Sequence, residues 1–208
     1  MRIVKASAKI FTATPKLEQV IERAGRVCWK SEDRICPGSS SKFIEAIKAK
    51  HHESVLEHGS ITVRIVCDRG VSHELVRHRL GSYSQESTRY CAYNKEKFSG
   101  HVTFIDPRPG FPDMGSIRFK LWKNAMREAE KAYFELLNAG AAPQEARDVL
   151  PNSLKTEIWV TYNPRAWRHV FLERTPFVAH PQMREIMIPL LVTFKKKWPS
   201  LFGDIVQK

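Results

Sequence analysis

The sequence predicts an α+β fold, and three observations carry that prediction. Several stretches alternate apolar and polar residues as half-buried strands do, others place apolar residues at helical spacing, and no internal repeat or low-complexity linker separates them. The 208 residues, 42% of them hydrophobic, suffice for one domain with a real core, so a single domain over 1–208 is expected.

The opening MRIVKASAKIF alternates in part and reads as one strand. PKLEQVIERAGRVCWKS follows with Leu17, Val20, Ile21 and Ala24 at helical spacing. A second helix runs through SKFIEAIKAKHH, with Ser41 as its N-cap, and ITVRIVC then alternates like a strand. The next helix begins near Val71. From Cys91 to Gly115 glycine and proline break every period, leaving a loop-rich insertion in which only HVTFID is strand-like. A long helix spans Ile117 to Asn138 and is closed by Gly140; PQEARDVL makes a short helix begun at Pro143, and LKTEIWVTY is a strand. Helices starting at Pro164 and Pro181 end the chain.

A formal charge of +12 implies an anionic partner, either nucleic acid or a phosphorylated small molecule. Cys28, Cys36, Cys67 and Cys91 are too few and too irregularly spaced for a disulfide framework, so reduced thiols are expected. Charge interrupts every apolar stretch well short of the roughly 20 residues of a membrane span, and the N-terminus lacks the pattern of a signal peptide. No membrane role and a cytoplasmic location are the expectations.

The segment VSHELVRHRLGSYSQESTRY is too polar for an ordinary amphipathic helix. If its first half is helical, Glu74 faces Arg77 and His78, and Gly81 ends the helix. If its second half is extended, Gln85, Ser87 and Arg89 line one face at period two and offer an amide, a hydroxyl and a guanidinium to one ligand. Such a row suits a nucleotide, since arginine binds phosphate bidentately while Gln and Ser reach a sugar or base edge. A solvated basic helix followed by a polar loop fits the spacing as well.

The string RHRLGSYSQES resembles the signature of flavin-dependent thymidylate synthases: Arg77-His78-Arg79, seven residues, then Ser87, continuing to Arg89 and Tyr90. It departs at Ser84-Gln85, where many members carry Asn-Glu, so an amide replaces a carboxylate. Later segments match in the expected order. YNPRAWRHVFLER, with Asn163 as N-cap and Arg165 and His169 four apart on one helix face, is similar to the family's Asn-x-Arg helix, ARDVLP to its Ala-Arg-x-x-Leu-Pro stretch, and HHESVLEH to its His-Glu-Thr/Ser segment.

That resemblance implies a mixed, largely antiparallel sheet with flanking helices, and a homotetramer with active sites shared between subunits. It implies reductive methylation of dUMP to dTMP, with FAD as cofactor and NADPH and 5,10-methylenetetrahydrofolate as co-substrates. On it, Glu74, Arg77, Gln85, Ser87, Arg89, Arg147 and Arg174 are carried over as dUMP ligands, with Arg174 also catalytic. His52, Ser54, Arg77, His78, Arg79, Gln85, Asn163, Arg165 and His169 are carried over to FAD. Glu57 and His58 are weaker candidates beside them.

Three other readings carry less. His73 and His78 lie five residues apart, about 140° around a helix, which excludes an HExxH-type zinc site, and His51, His52, Glu53, Glu57 and His58 follow no recognised ligand spacing. No metal is expected. Arg77, Arg79, Arg89 and the Lys195–Lys197 run could serve a nucleic-acid-binding module, but no RNP, KH or zinc-finger pattern accompanies them. Cys91 could be a thiol nucleophile, yet it lies outside the motif.

Overall fold

The computed structural model describes residues 1–96 and 100–206. In chain order the elements are β1 (Arg2–Val4), β2 (Ser7–Ala13), α1 (Leu17–Val27), α2 (Ser39–Ala49), β3 (Ile61–Asp68), α3 (Arg69–Leu75), β4 (Ser82–Gln85), β5 (Thr103–Ile105), α4 (Ser116–Asn138), α5 (Pro143–Ala146), β6 (Lys155–Tyr162), α6 (Pro164–Arg174), α7 (Pro181–Lys197) and α8 (Pro199–Phe202). Short 3-10 turns cover Glu32–Arg34, Glu53–Glu57 and Arg147–Val149. The predicted loop-rich stretch Cys91–Gly115 holds only β5 as regular strand among its described residues; its residues 97–99 lie outside them.

The fold is α+β, with an antiparallel sheet and flanking helices. Four strands lie in the order β2-β3-β6-β4, and a separate parallel ladder joins β1 to β5 with Arg2 opposite Thr103 and Val4 opposite Ile105. The central strands explain their own burial. In β6, Thr156, Ile158, Val160 and Tyr162 face inward at period two, and in β3 Ile61, Val63, Ile65 and Cys67 do the same.

The opening stretch is therefore two strands rather than one. Arg2–Val4 pair with a segment some hundred residues away, a long-range choice that local alternation does not encode. The second helix also starts earlier than expected. Gly38, in the left-handed region at φ 80°, is its N-cap, with no side chain capping the first turn, and Ser41 lies inside it; Ser39, the first helical residue, accepts from the Cys36 amide and donates to Glu22 through its hydroxyl.

By its internal contacts the chain divides into two compact units. The first comprises Met1–Ser7, Ile65–Arg77 and Ser84–Ile158. Its core gathers Val102, Phe104, Met126, Tyr133, Ala146 and Leu154 beneath α4. The second comprises Ala8–Arg64, His78–Tyr83 and Trp159–Lys208. There α6 and α7 bury Trp167, Phe171 and Phe194 against Phe202 of α8, with ring centroids 5.0–6.0 Å apart. Within that unit the Trp167 indole donates to the Ile61 carbonyl at 2.9 Å, and Arg168 forks onto Asp204 at 2.7 Å. Burial works against the Asp204 charge, but hydrogen bonds from Arg168 and Lys48 outweigh it and hold the carboxyl well below the usual carboxylate range.

Candidate functional site

Helix α3 begins where the Asp68 carboxylate accepts from the Val71 amide at 2.8 Å, and it ends at Leu75, its last buried residue. The helix does not reach Gly81. His78 therefore lies beyond the helix; Val76, Arg77, Arg79 and Leu80 are exposed and give a longer helix nothing to bury. Strand β4 is likewise short. The strand ends at Gln85, with one more backbone bond from the Glu86 amide to the Glu157 carbonyl at 2.9 Å, and Ser87 folds a turn, its hydroxyl accepting from the Arg89 amide and its carbonyl from the amides of Tyr90 and Cys91. Gln85, Ser87 and Arg89 thus do not form one period-two row.

In the first unit, Gln85 Nε2 donates to Ser72 Oγ at 2.8 Å and to Thr156 Oγ1 at 3.1 Å, so its amide braces two fully buried hydroxyls. Glu86 faces Lys155, with Oε2 2.6 Å from Nζ. Arg89 is exposed and donates from Nε to Gln144. A polar cavity of about 310 Å³ is lined by Arg69, His73, Thr88, Arg147, Asp148 and Asn152, and Arg147 Nη1 donates to Thr88 Oγ1 at 3.2 Å. Of the nucleotide ligands carried over from the resemblance, only Arg147 lines this cavity. Arg69, His73 and Asn152 were not among them: each reads locally as an ordinary surface polar residue, and only the strand-to-helix junction at Asp68 brings Arg69 beside Asn152, whose carbonyl accepts from the Arg69 amide.

In the second unit, α6 starts as its sequence requires, with Asn163 Oδ1 accepting from the Ala166 amide at 2.8 Å and Pro164 at the first helical position. The Asn163 carbonyl oxygen of the side chain is thereby committed to the cap. Arg165 reaches Glu57 at 2.6 Å and His169 packs edge-on to His78, ring centroids 5.7 Å apart. Arg174, the last residue of α6, donates from Nε to His78 Nε2 at 2.9 Å. Burial, reinforced by the Arg174 charge and by His169 and opposed by Glu173, lowers the His78 pKa to about 4. At neutral pH the imidazole is neutral, its Nε2 is an acceptor, and the guanidinium plane of Arg174 is fixed from one edge.

The loop carrying His78 is held by tyrosines. Tyr83 donates its hydroxyl to the His78 carbonyl and meets the Tyr162 hydroxyl, the rings standing edge to face at 5.8 Å. Burial raises both phenol pKa values, so both stay protonated. Leu80 takes the left-handed region at φ 62° while 87% exposed, a conformation that costs a branched residue about 1–2 kcal/mol and gains no burial in return. Gly81 follows because the Tyr162 ring leaves no room for a side chain.

Two recesses in the same unit share Trp29, Ile47 and His52. One, of about 420 Å³, adds the cations Arg26, Arg34 and Lys50; the other, of about 430 Å³, adds Ser54, Glu53 and Arg165. His52, Ser54 and Arg165 thus line one recess, and Trp29, which the sequence did not single out, lies with them, its ring stacked on His52 at 18° and 6.1 Å while 57% exposed. Stacking faces beside clustered cations fit a flat aromatic cofactor that carries phosphates. Among the described residues, no three His, Cys, Asp or Glu side chains gather in a metal-binding group, and no helix is long and apolar enough to cross a membrane.

Comparison with known proteins agrees over nearly the whole chain. Residues 9–200 match the model of the family described as thymidylate synthase complementing protein. A flavin-dependent thymidylate synthase from Geobacter sulfurreducens is 33% identical over 198 residues, covering 92% of this chain and 83% of that protein. One of the same name from Pyrococcus furiosus is 35% identical over 190 residues, covering 86% and 76%. A solved UMP/dUMP methylase from Streptomyces cacaoi, bound with 5-Br dUMP, superposes with a TM-score of 0.82 at 24% identity, over 98% of this chain and 96% of that one, and so shares the fold. This chain belongs to the flavin-dependent thymidylate synthase family.

Proposed function

We propose that this chain, as a single catalytic domain, converts dUMP to dTMP. The C5 proton of the pyrimidine is lost, a methylene from 5,10-methylenetetrahydrofolate takes its place, and hydride derived from NADPH completes the methyl group, leaving tetrahydrofolate and NADP+. When bound, FAD supplies the hydride relay between nicotinamide and pyrimidine.

The observation that carries this reading is the Arg174–His78 pair. A guanidinium whose edge is fixed by a neutral imidazole is a preorganised cation, suited to stabilise negative charge as N3 of the pyrimidine ionises and C5 becomes nucleophilic. Arg147, beside Arg69 and His73 in the polar cavity, serves the nucleotide phosphate. Glu74, Arg77, Gln85, Ser87 and Arg89 are the remaining dUMP ligands on the family pattern; Gln85 acts through its hold on Ser72 and Thr156. Arg77, His78, Arg79, Asn163, Arg165 and His169 bind FAD together with His52 and Ser54, where Trp29 offers a stacking face. The enzyme works as a cytoplasmic homotetramer with active sites shared between subunits.

The test is Arg174→Ala, measured for turnover and, separately, for dUMP affinity. The reading expects kcat to fall by about 10²–10³, the usual effect of deleting one stabilising donor. Turnover within about threefold of the parent removes Arg174 from this role.

A further inference from the structure

Arg174 is oriented by His78, and His78 must in turn be oriented by something. The His78–Tyr83 segment gives it little inherent stiffness: after α3 ends at Leu75 it has no regular structure until β4 begins at Ser82, and it passes through Leu80 in the left-handed region with that side chain in solvent. What bears on its course is the pair of phenols. Tyr83 has one hydroxyl proton and gives it to the His78 carbonyl, so the contact between the two hydroxyls, 2.5 Å apart, is donated by Tyr162. Tyr162 is anchored, 1% exposed, at the end of β6, with its ring edge-on to Trp167 at 4.9 Å. A Cβ at position 81 would meet its ring at 2.1 Å, so the loop is seated directly on the phenol.

We propose that Tyr83 and Tyr162 are positioning residues: their hydroxyl pair clamps the His78 carbonyl to the sheet and thereby holds the His78 ring as acceptor for Arg174. Direction runs along the chain of bonds, from the buried Tyr162 through Tyr83 to the backbone at His78, and from the imidazole to the guanidinium. Neither phenol touches a reacting atom in this scheme. The clamp rests on the proposed role of Arg174 only for its catalytic consequence; its geometric consequence stands apart from it.

Tyr83→Phe and Tyr162→Phe keep both rings and delete one hydroxyl each. Two readouts follow the loop: the imidazole titration of His78 by NMR, which needs no turnover, and the split of kcat from the KM for dUMP. The ring now sits among Arg174, His169 and Glu173, which together with burial place its titration near pH 4. The clamp expects Tyr83→Phe to move that titration upward by at least one pH unit and to lower kcat about tenfold with a smaller change in KM. Tyr162→Phe should act in the same direction but more weakly, and the double variant should add little to Tyr83→Phe, because the two hydroxyls act in series.

An unmoved His78 titration in Tyr83→Phe overturns the clamp, even where thermal stability falls. Additive effects of the two substitutions overturn the serial arrangement. If the titration moves while the parent protein proves inactive on dUMP, the clamp stands and the functional reading fails.

Discussion

Replacing Gly81 with alanine isolates one contact. The added Cβ would lie 2.1 Å from Tyr162 Cε1 and 2.4 Å from Cδ1, so the ring would have to retreat by about 1.5 Å to reach ordinary van der Waals separation. It has nowhere to go, being 1% exposed and packed against the fully buried Trp167. Overpacking of this kind costs about 1–3 kcal/mol, and displacing the Tyr162 hydroxyl from Tyr83 adds about 0.5–1.5 kcal/mol. A loss of about 1.5–4.5 kcal/mol in a chain of this length lowers Tm by roughly 3–18 °C. Thermal unfolding followed by circular dichroism at fixed protein concentration measures it. Combining Gly81→Ala with Tyr162→Val should cost less than the two single variants summed, giving a coupling of about 1–3 kcal/mol. A single variant that melts within 2 °C of the parent would falsify the steric argument, since its magnitude comes from that contact alone.

Three further outcomes are expected. His78 titrates near 6.5 when unfolded and at about 4 when folded, so between those values the unfolded chain binds more protons and stability falls as pH drops from 6.5 to 4. Discounted for partial exposure the loss is about 1–2 kcal/mol, and urea unfolding should show His78→Gln shedding that part of the slope; an unchanged slope contradicts it. Arg147→Ala should weaken dUMP binding about 10–100-fold by calorimetry, as loss of a charge-assisted phosphate contact does, whereas unaltered affinity takes the phosphate out of its cavity. Trp29→Ala should weaken flavin binding about three- to tenfold in a fluorescence titration through loss of one stacking face, and undiminished binding would move the flavin elsewhere.

How far the sequence was legible depended on how local each signal was. Asn163-Pro164 opens α6, Gly140 follows α4 and β6 alternates over its whole length, because capping, turn and burial signals there lie within a few residues. The parallel ladder of Arg2–Val4 with Thr103–Ile105 is set by residues about a hundred positions apart, and local alternation merged β1 with β2. The charged run after Leu75 invited a longer helix through its Glu74–His78 spacing, but with four exposed residues among Val76–Leu80 there was no apolar face to sustain one. The same locality governs the site. Motif order singled out His52, Ser54 and Arg165, which line one recess, while Trp29, Arg69, His73 and Asn152 come to line theirs only through the elements that fold beside them.

The most direct test of the account is tritium release from dUMP labelled at C5, measured with FAD, NADPH and methylenetetrahydrofolate present and with each omitted in turn. Release that depends on both flavin and nicotinamide, and that Arg174→Ala slows by about 10²–10³, is the predicted result. Release that needs folate alone, or none under any combination, would contradict the proposed reaction.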